Sequence, residues 1–87
     1  MASTVTTVLG PVPPAALGVT DAHNHLYIGR VPGAPPDAPA LTDTAGVARE
    51  LAAFRALGGG AIVDCQPGGC GRDGRVLREL SRATGVH

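Results

Sequence analysis

The chain has 87 residues and no net formal charge, since seven arginines balance seven acidic side chains. This balance excludes the strongly basic surface that binds nucleic acid, and no apolar run approaches the roughly 20 residues that a membrane helix needs. Apolar residues make up 44% of the chain but aromatic residues only 2%, which suits one small domain or part of a larger one.

The N-terminal residues 1–18 are predicted to be a short extended lead-in. Residues 3–9 are rich in Thr and Val, which favour strands, and Gly10-Pro11 is a turn signal. Residues 15–18 can form one turn that ends at a glycine. We expect a small hairpin or an edge covering here. No basic segment followed by an apolar stretch opens the chain, so we expect no signal peptide and a cytoplasmic location.

The first strand–loop–helix unit is predicted next. Its strand covers Val19–Leu26, and its proline-rich loop covers Gly29–Pro39 and carries four prolines. A loop of this length in a compact domain is typically functional or mobile. The helix covers Thr42–Leu57 and is capped by Thr42 or Asp43. Its apolar stripe has helical spacing and consists of Val47, Leu51, Phe54 and Leu57.

A second unit of the same kind is predicted after three glycines, Gly58–Gly60, which should end the first helix. The short apolar run Ala61–Cys65 indicates a buried parallel strand, and Gln66–Gly71 forms the next loop. The second helix has Asp73 as its N-cap and ends at Gly85. Its inner face should consist of Val76, Leu77, Leu80 and Ala83.

The order of elements predicts an α/β fold with a parallel sheet and right-handed crossovers. The chain is interpreted as the first two βα units of a (β/α)8 TIM-type barrel, or of a doubly wound sheet, after a short extended lead-in. Two parallel strands rarely form a stable sheet alone. We therefore expect residues 1–87 to be an incomplete N-terminal fragment of one barrel domain, with no second domain.

Chemistry converges on the stretch Asp21–Leu26, called the histidine segment below. His23 and His25 are two residues apart, so both imidazoles should lie on one face of an extended strand. Paired imidazoles are typical ligands of zinc or another divalent ion. The alternative is a pair of surface or hydrogen-bonded histidines without a metal. Asp21 falls on the same face, either as a carboxylate that orients an imidazole or as a polar residue at the strand start.

Other polar residues of this chain have simpler interpretations. Asp64, at the end of the second strand, should either hydrogen-bond across the barrel mouth or cap the following loop. Residues 68–71 match no phosphate-binding motif and are interpreted as a flexible connection. Cys65 and Cys70 should be free thiols. No residue is assigned a catalytic role, because a metal hydrolase needs at least three protein ligands and two are evident here.

Three motifs stand out in the N-terminal part of the chain, namely Thr6–Pro13, Leu17–Thr20 and His23–Leu26. The second unit adds Ile62–Asp64, Gly71–Glu79 and Arg82–Val86. In this order and spacing, these motifs resemble the phosphotriesterase-like family of the amidohydrolase superfamily.

The resemblance implies a (β/α)8 barrel with two divalent metal ions, usually zinc, at its C-terminal mouth. It implies that His23 and His25 bind one of them, and that the other ligands lie on later strands. A metal-activated water would then attack a small ester substrate, a phosphotriester or a lactone. Asn24 stands where glutamate is frequent in the family, which indicates a divergent subgroup. We expect the 87-residue chain alone to be inactive and poorly folded.

Two alternatives differ in function class. One is another amidohydrolase with a His-x-His strand, such as a TatD-like nuclease or a cyclic amidase. The other is a non-catalytic remnant or small interaction module.

Overall fold

A computed structural model describes residues 3–87, which form an α/β arrangement in the predicted order. The elements are strands β1 (Val5–Thr7), β2 (Gly10–Val12) and β3 (Val19–Asn24), helix α1 (Thr44–Ala56), strand β4 (Gly59–Asp64) and helix α2 (Gly74–Thr84). A single 3-10 turn, Pro14–Ala16, precedes β3. In this described part, no helix is long and apolar enough to cross a membrane.

The lead-in is an antiparallel hairpin of β1 and β2, as expected. The turn, however, falls on residues 8 and 9 and not on Gly10-Pro11, so that part of the prediction is wrong. The Thr7 hydroxyl explains the difference, because it accepts from the Leu9 N–H at 3.2 Å and donates to the Gly10 carbonyl at 2.7 Å. Gly10, with φ of 118°, then opens β2.

Strands β3 and β4 form the predicted parallel pair. Asp21 lies opposite Ile62 and Asn24 opposite Asp64. Three steps along β3 thus correspond to two steps along β4, so the register is irregular between Asp21 and Asn24. The strand ends at Asn24, two residues earlier than the predicted end at Leu26. The histidines therefore straddle the end of β3.

The three consecutive glycines Gly58–Gly60 have different roles, and the prediction that all of them end the first helix is wrong. Gly58, with φ of 100°, follows α1 in a conformation that favours glycine. Gly59 and Gly60 already belong to β4 and are buried. A Cβ on Gly59 would collide with the Phe54 ring, and one on Gly60 with the Leu17 carbonyl. These glycines let the strand approach its neighbours closely.

Both helices begin at the predicted aspartates. The Asp43 carboxylate accepts from the Gly46 N–H at 2.9 Å at the start of α1. The Asp73 carboxylate accepts from the Arg75 N–H at 2.9 Å at the start of α2. Gly85 ends α2 in the left-handed conformation, with φ of 76°. Since each cap satisfies a backbone donor that the helix leaves unpaired, the caps define where the helices begin.

The core lies between the helices and the sheet, and it is small. Its buried centre is Leu51 of α1, Leu80 of α2 and Val86. Leu57 was predicted to lie on the apolar stripe but is 90% exposed, and Ala83 is exposed as well. Both lie near a helix end, where the core does not extend to cover them.

Strand β4 is paired on both edges. Beyond its pairing with β3, the Gly60 carbonyl accepts from the His87 N–H at 2.9 Å, and the Ile62 N–H donates to the His87 carbonyl at 2.8 Å. The C-terminal ends of β3 and β4 lie at the same end of the sheet, because the strands are parallel. His23, His25 and Asp64, the candidate site residues from the sequence, lie at this end of the sheet.

Candidate functional site

The two imidazoles of the histidine segment are neighbours. His23 lies in β3 and His25 directly follows its last residue. Their ring centroids are 5.5 Å apart, and the ring planes are inclined by 85°. Both side chains are exposed, and within residues 3–87 no hydrogen bond involves either ring. The ring nitrogens are thus accessible to a ligand.

The separation of the rings is compatible with two ligands of one metal ion. Two imidazoles that bind a tetrahedral zinc ion at about 2.1 Å have ring centroids roughly 5 Å apart. The observed 5.5 Å is close to that value. Among the described residues, however, no group of three or more His, Cys, Asp or Glu could hold a metal ion. The histidine pair therefore fits part of a metal site.

The Asp21 carboxylate binds the backbone of the histidine segment and not an imidazole. One oxygen accepts from the His23 N–H at 3.1 Å, and the other accepts from the Asn24 side-chain amide at 2.9 Å. These two hydrogen bonds lower the pKa of Asp21 below its usual value of 3.8, and the bond from the His23 N–H has the larger effect. Hydrogen bonds to the charged form favour that form. The carboxylate is therefore ionised at neutral pH.

Asn24 extends this arrangement to the second histidine. Its side-chain oxygen accepts from the His25 N–H at 2.8 Å, while its amide nitrogen donates to Asp21. Strict strand alternation would place Asn24 on the opposite face from Asp21, so the sequence pattern does not reveal this contact. The irregular register between the two residues brings their side chains together. The position of an amide between two histidines was the only hint in the sequence.

Asp64 joins the two strand ends. One oxygen accepts from the Leu26 N–H at 2.9 Å, which crosses from β4 to the histidine segment. The other accepts from the Gln66 N–H at 3.0 Å and so caps the following loop. The bond to Gln66 confirms the interpretation of Asp64 as a cap of the following loop. The bond to Leu26 joins the ends of two adjacent strands, so a hydrogen bond across the barrel mouth stays a prediction. The half-buried carboxylate links the two loops at this end of the sheet.

The proline-rich loop is closed at its base. The N–H groups of Ile28 and Leu41 each donate to the other residue's carbonyl at 2.9 Å. The Gly29 N–H donates to the Gly71 carbonyl of the second loop at 2.8 Å. A cleft of about 570 Å³ lies between the two loops. Neither histidine lines it.

A second groove lies beside the histidine segment. It has a volume of about 630 Å³ and is lined in part by Asp21, Asn24 and His25, with α1 as its other wall. Asp21 and Asn24, which line this groove, are the side chains that bind the backbone N–H groups of His23 and His25.

Cys65 and Cys70 are free thiols, as expected, with Cys65 half-buried and Cys70 exposed.

The model of the phosphotriesterase family matches residues 3–87. N-acetyltaurine hydrolase from Tetraodon nigroviridis is 36% identical over 113 aligned positions, which cover 95% of this chain and 32% of the relative. The chain thus spans about a third of the length of the curated relatives it matches.

Solved structures of other proteins contain the same fold as this chain. A lactonase from Listeria monocytogenes has a TM-score of 0.86 at 29% identity, with 97% of this chain and 26% of the lactonase covered. A triple mutant of organophosphorus hydrolase from Deinococcus radiodurans has a TM-score of 0.74 at 40% identity, with 98% and 27% covered. These neighbours confirm two βα units of a (β/α)8 barrel preceded by a hairpin.

Proposed function

Because this chain belongs to the phosphotriesterase family, we propose that it carries the first-strand ligands of a metal-dependent hydrolase, with His23 and His25 as those ligands. The relatives and neighbours named above are hydrolases and a lactonase. The observation that supports the proposal most directly is the 5.5 Å separation of two accessible imidazoles. This separation suits one tetrahedral ion.

Zinc is the proposed metal, since imidazole is one of its preferred ligands and its tetrahedral geometry suits the pair. A divalent ion in such a site lowers the pKa of water and polarises a carbonyl or phosphoryl oxygen. The part played by this chain is to hold the ion through two neutral imidazoles. Two ligands are fewer than a catalytic zinc site uses, so we expect this chain alone to give no turnover.

The proposed substrate is a small ester, either a phosphotriester or a lactone. One structural neighbour is named as an organophosphorus hydrolase and another as a lactonase. Both bond types place an electrophilic phosphorus or carbon beside an oxygen that a cation can polarise. The groove beside His25 is the proposed approach to the site.

The test uses His23→Ala and His25→Ala in the complete natural protein, with His87→Ala as the matched control. His87 contacts β4 through its backbone, so its imidazole is not required for that pairing. We expect each ligand variant to lose bound zinc and to lose turnover of both a phosphotriester and a lactone. The His87 variant should keep both properties. Zinc content and turnover that persist in His23→Ala would contradict the proposal.

Amide hydrolysis is a second candidate, favoured by the curated relatives. N-acetyltaurine hydrolases from five animals are 29–36% identical to this chain. An assay of the complete natural protein measures kcat/KM for an N-acyl aminosulfonate, a lactone and a phosphotriester, and so compares amide hydrolysis with ester hydrolysis. A higher value for the N-acyl compound would favour amide hydrolysis. Single-stranded DNA as a fourth substrate tests the TatD-like alternative.

A further inference from the structure

We propose that Asp21 and Asn24 act as a positioning pair, which fixes the backbone at His23 and His25 so that both imidazoles reach one metal ion. Three hydrogen bonds carry this inference. The His23 N–H donates to Asp21, the Asn24 amide donates to the other Asp21 oxygen, and the His25 N–H donates to the Asn24 oxygen. The two side chains thus bind the backbone N–H of each histidine. The inference rests on the proposed function of the histidines.

The pair has a defined pattern of donors and acceptors. Both Asp21 oxygens accept a hydrogen bond, one from the His23 N–H and one from the Asn24 amide, so position 21 requires a side chain with two acceptor atoms. Asn24 accepts at its oxygen and donates at its nitrogen, which an amide does and a carboxylate does not. Asn24→Asp would place two carboxylates against each other. Asp21→Asn would place an amide NH2 against either the His23 N–H or the Asn24 NH2 group.

Exchanging the two residues should restore the pattern. In the double variant Asp21→Asn/Asn24→Asp, the amide at position 21 accepts from the His23 N–H and donates to the carboxylate at position 24. That carboxylate still accepts from the His25 N–H. The chain of bonds is complete again, with its middle bond reversed. Both single changes are isosteric, so packing is altered little.

A purely electrostatic role for Asp21 gives the opposite result for one variant. If the pair only supplied negative charge near a cation, Asn24→Asp would add charge and tighten zinc binding. If the pair positions the backbone, Asn24→Asp breaks a hydrogen bond and weakens zinc binding. The direction of this single effect separates the two explanations.

The experiment measures zinc affinity by calorimetry in the complete natural protein and its variants. We expect Asn24→Asp and Asp21→Asn each to weaken zinc binding by about tenfold, the lower end of the range for groups that orient ligands. The double variant should recover most of that loss, which a double-mutant cycle quantifies. Asp37→Asn, in the exposed proline-rich loop, removes the same charge as Asp21→Asn and should leave the affinity unchanged.

A second readout needs no metal. Amide hydrogen exchange and 15N shifts of His23 and His25 report their N–H bonds directly in the metal-free protein. We expect faster exchange at both amides in the single variants, because repulsion between like groups at positions 21 and 24 displaces the oxygens that bind these N–H groups. Asn24→Ala removes the acceptor of the His25 N–H without adding charge, so exchange should become faster at His25. The double variant should show slow exchange again.

The outcomes separate this proposal from the proposed function. If zinc binding depends on His23 and His25 but not on the exchange of residues 21 and 24, the positioning pair is wrong and the ligand assignment stands. Tighter zinc binding by Asn24→Asp, or unchanged amide exchange in the single variants, would equally overturn the positioning pair. If zinc binds independently of both histidines, the ligand assignment fails, and with it the metal role of the pair.

Discussion

The histidine segment and the proline-rich loop are close in the chain, but they are held in different ways. In the histidine segment, side chains bind the N–H groups of His23, His25 and Leu26. In the proline-rich loop, backbone bonds at its base close the chain between Ile28 and Leu41. Among the described residues, no side-chain hydrogen bond involves residues 29–40. The conformation of the histidine segment thus depends on specific side chains, whereas that of the proline-rich loop depends on backbone bonds at its two ends.

This difference determines which positions tolerate substitution. A backbone N–H bound by a carboxylate or amide loses its partner when that one side chain is replaced. A loop held at its base retains its closure when residues at its tip are replaced. Variation is therefore expected to concentrate in the loop wall of the cleft, as is usual for loops beside a rigid scaffold.

Asp64→Ala should have the largest effect, because it removes the acceptor for both the Leu26 and the Gln66 N–H. Each hydrogen bond to a charged group contributes about 2 kcal/mol, so the free energy of local opening at each of the two amides should fall by about 2 kcal/mol. Hydrogen exchange at these two amides measures it. Asp64→Asn, which keeps one acceptor, should lose less. Unchanged exchange in Asp64→Ala would show that Asp64 does not hold the segment.

Leu41→Pro should have the next largest effect, because proline removes the N–H that donates to the Ile28 carbonyl. The base of the proline-rich loop should open at a cost of about 1 kcal/mol, the usual net contribution of one hydrogen bond. Leu41→Ala is the control, since it shortens the side chain but keeps the N–H. Limited proteolysis within the loop measures the opening. Equal cleavage of the two variants would contradict a loop closed by its backbone.

Shortening the tip of the loop should have a small effect. Replacing residues 32–38 by two glycines keeps the base between Ile28 and Leu41. Loop length changes the closure entropy only slowly, so the free energy of unfolding should change by about 0.5 kcal/mol or less. Denaturant titration of the complete natural protein measures this change. A loss several times larger would show that the tip itself contributes to stability.

The smallest effect is expected from the pH dependence of Asp21. Its folded-state pKa lies below 3.8, so its stabilisation is fully present above that value and is lost as the pH falls through the lower folded-state pKa. A 13C titration of the carboxyl carbon should give a pKa below 3.8. Asn24→Ala should raise this pKa, because one of the two hydrogen bonds is removed. A pKa at or above 3.8 in the natural sequence would contradict the observed bonds.

Much of the fold could be predicted because its signals are local. Asp43, Asp73 and Gly85 are residues whose own chemistry defines helix ends, and the structure confirms each of them. Gly59 and Gly60 were misassigned because a glycine has no side chain that shows a pattern. Their place in β4 depends on contacts with Phe54 and Leu17, which are distant in the chain.

The candidate site was predicted less completely than the fold. The spacing of His23 and His25 predicted neighbouring rings, and the rings are neighbours although His25 lies just beyond the end of β3. The contact between Asp21 and Asn24 depends on an irregular register that no residue type announces. The bond from Leu26 to Asp64 joins residues 38 positions apart. Their assignment as metal ligands or supporting residues stays a prediction.

The bonds that hold the two histidine amides also affect how the end of β3 meets other chains. A strand with free N–H groups is a template for edge-to-edge pairing, which leads to aggregation and domain swapping. At His23 and His25 these donors are occupied by Asp21 and Asn24. The end of β3 therefore offers little to an incoming strand. Asn24→Ala, which frees the His25 N–H, should make the chain more prone to aggregate.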